Sequence, residues 1–238
     1  MKLKTLLFSA LLSACTTAQI NSTLGTVNDA LNESATPTTS EVTGGLKQAL
    51  EVGIKNSAQL ASALDGYYKN PKIKIPFPPE VKEVETKLRQ IGLGKEVDKF
   101  VVTLNRGAEN AANKSVPIFV NAITSMSIND AWGILKGEDL AATNYLKKAT
   151  YAQLQAEFKP VMKQSLDQVN ATKYYGDLVS NYNKIPFVKK VNPNLDDYAT
   201  EKAIDGLFYL VGEEEKKIRK DPMKRTTELL KKVFAQQD

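Results

Sequence analysis

Along most of this chain apolar side chains recur at steps of three and four rather than two, the period of helix rather than strand. Gly45 to Leu64 carries Leu46, Leu50, Val52, Ile54, Leu60 and Leu64 at such steps, and Glu80 to Ile91 reads as a second helix, opened by Pro79 and stopped by Gly92 and Gly94. The clearest stripe follows, with Val97, Phe100, Val101, Leu104, Ala108, Ala111 and Ala112 on one face, up to a break or kink at Pro117. Ile118 to Met126 is the next apolar segment, and Ser127, Asn129 and Asp130 can cap a short helix through Leu135. Further helices are predicted over Asp139 to Lys148, over Tyr151 to Val169 with a bend at Pro160, and over Lys173 to Tyr182. Leu195 to Lys220 buries Tyr198, Ala199, Leu207, Phe208, Val211 and Ile218, and Asp221-Pro222 opens a last amphipathic helix to about Gln236. Only Lys72 to Pro79, KIKIPFPP, alternates, and its prolines make it an extended connector or lone edge strand. The pattern predicts a single all-α domain of roughly nine or ten helices with no significant sheet.

The first residues have a different logic. Lys2 and Lys4 precede an apolar run from Leu6 to Leu12, the layout of a secretory signal and too short to span a bilayer. Leu12-Ser13-Ala14-Cys15 resembles the lipobox of bacterial lipoproteins. That resemblance implies cleavage after residue 14 and acylation of Cys15, so that the N-terminal lipid ties the protein to a membrane; an ordinary signal cleaved after Ala18 is the alternative reading. Thr16 stands where inner-membrane retention in enterobacterial lipoproteins uses aspartate, which by the same resemblance points to the outer membrane, facing the periplasm. Residues 15–40, rich in Thr, Ser, Asn and Ala, read as a lipidated terminus and flexible tether, leaving 41–238 as the domain.

Composition removes much chemistry. The 238 residues hold no histidine and one cysteine, so zinc, copper and haem sites lack their usual ligands and hydrolytic triads lack their base. No Gly-x-Ser-x-Gly elbow, Ser-x-x-Lys pair, P-loop or calcium loop occurs, and no metal or other cofactor is expected. The net charge of +5 loses two lysines with the signal, and the remaining charges interleave, which argues against nucleic acid. The basic run Lys216, Lys217, Arg219, Lys220 follows Glu213, Glu214 and Glu215 at helix-pairing distances.

Chemistry therefore rests on carboxylates, arginines and tyrosines. Arg106 and Glu109 stand one turn apart, Glu215 and Arg219 four residues apart, and Asp130 heads a short helix. These five form the candidate polar pocket; structural ion pairs between or along helices are the competing reading. Tyr174, Tyr175 and Tyr182 are packing residues or a sugar-stacking platform.

Eight stretches then carry a resemblance: GGLKQAL (44–50), KIKIPFP (72–78), TLNRGAENAA (103–112), PIFVNAI (117–123), SINDAWGIL (127–135), AATNYL (141–146), DGLF (205–208) and EEEKKIRKDP (213–222). In this order they resemble a bacterial envelope family described as domain of unknown function 4197. The resemblance implies an all-α secreted or lipid-anchored domain and no particular activity. Gly107 departs from the alanine expected there, at a cost of about 1 kcal/mol in mid-helix unless close packing uses it. The functional expectation is a non-catalytic interaction or ligand-binding module of the cell envelope, with an envelope protein, peptidoglycan or a hydrophobic ligand as partner. A carboxylate-dependent glycan hydrolase and a carrier of a hydrophobic molecule are the alternatives.

Overall fold

A computed structural model describes residues 38–184, 186, 187, 190–221 and 231. The signal, Cys15, the tether up to 37 and the helix expected from Pro222 lie outside the described residues. Eight α-helices and no strand occur among those described: α1 (Thr39–Ser62), α2 (Lys82–Gln90), α3 (Gly94–Ala112), α4 (Ser115–Thr124), α5 (Ile128–Leu135), α6 (Ala141–Asp167), α7 (Ala171–Tyr182) and α8 (Leu195–Lys220), with a 3₁₀ turn at Pro79–Val81. They form a single all-α domain. The count falls below nine or ten for two reasons. The last expected helix lies outside the described residues, and Asp139 to Lys148 and Tyr151 to Val169 are one helix, because no glycine or proline separates Lys148 from Tyr151. Pro160 is accommodated inside α6, and Pro117 sits in the first turn of α4, where a missing N–H leaves no helical bond unmade.

The core is organised on α6 and α8, which pack along each other, with α3 beside α6 and α1 against α8. Helix α6 buries Ala142, Leu146, Thr150, Leu154, Phe158, Met162 and Leu166, a ridge in which each residue lies four after the last. On α1 the buried stripe is Val42, Leu46, Ala49, Leu50, Ile54, Ala58 and Ala61, while Leu60 and Leu64, expected on that stripe, face solvent. The stripe ends on small residues because α1 there approaches its neighbours closely.

Gly107 shows what the departure from alanine permits. A Cβ there would lie 3.1 Å from Sδ of Met162 and 3.2 Å from Cβ of Ser165, so α3 and α6 meet across it. Its intrinsic helix cost is offset by that approach.

The KIKIPFPP connector is extended, and its backbone is paired with a side chain. Asn105, fully buried in α3, accepts from the Ile75 N–H at 2.8 Å and donates to the Ile75 carbonyl at 2.8 Å and to Val101 O at 2.7 Å. The amide thereby plays the part of a neighbouring strand and lets Ile73 and Ile75 enter the core. Two residues on, Phe77 is set against Phe100 with ring centroids 5.0 Å apart.

Candidate functional site

The five polar residues of the sequence-based pocket fall into three groups by their partners. In the first, Arg106 bridges Glu109 and Asp65, the latter at 2.6 Å, while the second oxygen of Glu109 accepts from the N–H groups of Tyr67 at 3.1 Å and Tyr68 at 3.2 Å. Tyr67 is fully buried and donates its hydroxyl to Ala203 O at 2.6 Å. This cluster fixes the turn after α1, where Asp65 holds a left-handed backbone (φ 68°) and Gly66 sits too close to preceding carbonyls for any side chain. Lys69 and Arg106 hold the Asp65 carboxyl below the usual aspartate range.

The second group is built on α8. Glu215 accepts from the Ala142 N–H at 3.0 Å, the Thr143 N–H at 2.8 Å and the Thr143 hydroxyl at 2.7 Å, and so caps the N-terminus of α6. One turn on, Arg219 pairs with Glu215 at 2.9 Å and donates to Ile134 O at 2.8 Å, at the C-terminus of α5. Anion at a helix start and cation at a helix end match both dipoles and satisfy orphan backbone groups. The α5–α6 corner is therefore clamped by one i, i+4 pair of α8. Asp130 makes the third group: it accepts from the Ser127 N–H and hydroxyl and donates its own N–H to Ser127, a capping box that starts α5 and lowers its carboxyl's pKa. All five residues thus hold helix ends or turns.

What the described surface offers for a ligand lies elsewhere. An open cavity of about 500 Å³ runs between the α2–α3 hairpin and the α6–α7 junction. Its apolar wall comes from Phe77, Leu88, Leu93, Val97 and Phe100 on one side and Val169, Ala171, Tyr174, Tyr175 and Leu178 on the other. Glu96, Lys99, Gln168 and Asn170 supply the polar groups. The hairpin corner is a Schellman turn: Leu93 N–H bonds Leu88 O at 2.9 Å, Gly92 N–H bonds Arg89 O at 3.2 Å, and Gly92 takes φ 89°. This closure brings Leu88 and Leu93 to the same rim. Arg89 ties the two helices by pairing with Asp98 at 2.9 Å and Glu85 at 3.0 Å. Helix α2 buries none of its own residues, and Leu93 and Tyr174 remain 43% and 67% exposed, so the groove leaves apolar area in water. At its floor Tyr175 is buried, which pushes its hydroxyl up to about 12.

Phe100 marks where sequence reasoning fell short of this groove. It stands on the clearest helical stripe, yet unlike Val97, Val101 and Leu104 it is only half-buried, because it faces the groove. The usable signals were the Leu88, Gly92, Leu93 pattern of a Schellman turn and the adjacent Tyr174 and Tyr175. Among the described residues no group of acidic or thiol side chains could hold a metal, and no helix is long and apolar enough to cross a membrane.

Acid sensitivity follows from the surface pairs. Asp65, Asp139, Asp167 and Asp197 are lowered chiefly by lysine partners and Asp130 by Ser127, all from an ordinary value of 3.8. A lowered folded-state pKa gives stability that is complete above the unfolded value and is lost as pH falls through the folded one. With no histidine to titrate, Tm should stay level from about pH 8 to 5 and fall below about pH 4. Thermal melts across that range check it, and a decline already between pH 7 and 5 would contradict it.

Residues 36–235 match a family model described as Protein of unknown function (DUF4197). No curated protein and no solved structure matches the chain.

Proposed function

The chain belongs to the DUF4197 family of proteins of unknown function, and we propose on that premise that it is a non-catalytic, ligand-binding module of the bacterial cell envelope. In this reading acylated Cys15 anchors it at the outer membrane on the periplasmic side, and the groove between α2–α3 and α7 takes a small amphipathic molecule. The groove itself carries the reading. Its volume of about 500 Å³ falls within the usual range for small-molecule sites, and it combines an apolar wall with a few polar groups. An apolar body would lie along Phe77, Leu93, Phe100 and Tyr174, with a polar head reaching Lys99, Glu96 or Asn170.

The glycan-hydrolase alternative needs two carboxyl groups facing one sugar with room for water or attack. Glu109 and Glu215 instead accept hydrogen bonds from fixed backbone N–H groups and pair with their own arginines, which leaves the acid–base reading without its residues.

The test is titration of an environment-sensitive apolar fluorophore into the full chain carrying Cys15→Ala. Leu93→Glu and Tyr174→Glu change exposed side chains and should weaken binding about tenfold or more while leaving Tm within about 2 °C. The same Cys15→Ala change should release the protein from membranes without altering fluorophore affinity. Continued membrane retention of that variant would refute the anchor but leave the groove standing.

A further inference from the structure

The segment leaving α7 is organised differently from the other connections. Asn183 closes its neck with a reciprocal amide clamp, donating to Val191 O at 2.7 Å and accepting from the Val191 N–H at 2.9 Å. Inside the clamp the sequence reads Lys184-Ile185-Pro186-Phe187-Val188-Lys189-Lys190. Phe187 is fully exposed and holds a left-handed backbone at φ 67°, a conformation unusual for a bulky residue. Pro186, Lys184 and Lys190 are exposed beside it. From Leu178 to Leu195 the chain has these three lysines and no acidic residue. An aromatic ring held out at a loop tip, with only cationic charge around it, suits one kind of surface: an apolar layer beneath anionic headgroups.

We infer that the loop at Phe187 is a membrane-contact site that inserts its aromatic ring between anionic lipids while Lys184, Lys189 and Lys190 meet the headgroups. The apolar groove is a separate site, and neither reading depends on the other. An anchored domain with such a tip is held at the bilayer at a second point, and its body is oriented rather than free to swing.

Vesicle binding by the full chain carrying Cys15→Ala isolates this contact from the lipid anchor. Binding to vesicles of phosphatidylcholine with phosphatidylglycerol should exceed binding to phosphatidylcholine alone and should weaken with salt. Phe187→Ser should lower the partition coefficient about tenfold, and Lys184→Gln with Lys190→Gln should lower it by a similar factor. Phe187→Trp should shift its emission to the blue on adding vesicles, with Trp132 in the parent chain as the baseline. Fluorophore affinity at the groove should be unchanged in Phe187→Ser, so failure here is distinguishable from failure there. Equal partition of Phe187→Ser and the parent, or an unshifted Phe187→Trp spectrum, would overturn the inference. It would also fall if, without lipid, the parent self-associated through this tip and Phe187→Ser abolished that association, for the tip would then be a protein interface.

Discussion

Glu215→Gln should destabilise the domain by about 3 to 5 kcal/mol, read as a fall in urea midpoint and in Tm of roughly 10 °C. The side chains of Glu215 and Arg219 are only 6% and 9% exposed, so solvent cannot replace what the substitution removes. Glutamine keeps the shape but presents an N–H₂ where a carboxylate oxygen accepted. Either a backbone N–H at the start of α6 or the guanidinium then loses its partner while buried. Arg219→Met should also be costly, because the Ile134 carbonyl at the end of α5 loses a charged donor. Since both residues act on one corner, the double variant should cost less than the sum of the singles. A change under about 1 kcal/mol for Glu215→Gln would contradict the clamp.

The second large effect connects stability to the groove. Asn105→Ala strips the Ile75 N–H and carbonyl of their partner inside a buried segment, at roughly 1 to 3 kcal/mol for each group. The expected loss is about 3 kcal/mol or more. Phe77, two residues beyond the clamp, lies on the groove wall against Phe100, so fluorophore affinity should fall together with stability. Asn105→Asp should be little better, since a carboxylate can accept from Ile75 N–H but repels the carbonyls of Ile75 and Val101. Full stability in Asn105→Ala would mean that the extended segment is held by its isoleucines alone.

Sequence periodicity resolves the core well and the surface chemistry poorly, for identifiable reasons. Val97, Val101, Leu104 and Ala108 are buried as their spacing requires, because a helix face is a local property. The pairs Arg106 with Glu109 and Glu215 with Arg219 also form at the distances their spacing allows. What spacing cannot supply is the third partner: the backbone of Tyr67 meets Glu109 from 42 residues away, and that of Thr143 meets Glu215 from 72. Those contacts turn an apparent polar pocket into separate clamps. The groove is hidden for the same reason, since Phe77, Leu93 and Tyr174 come from three stretches that each look like ordinary packing. Asn105 was open to notice as a polar residue beside Leu104 on a buried stripe, a position that demands a partner. The merged α6 escaped because Lys148 to Tyr151 has no feature that either breaks or joins a helix.

The groove is the centre of this account, and a saturation titration tests it most directly. The full chain carrying Cys15→Ala should bind an apolar fluorophore saturably at one site per chain, and Leu93→Glu and Tyr174→Glu should each raise Kd about tenfold or more while leaving Tm nearly unchanged. Non-saturating binding, or saturable binding unchanged in both variants, would show that the groove is not where this domain takes a ligand.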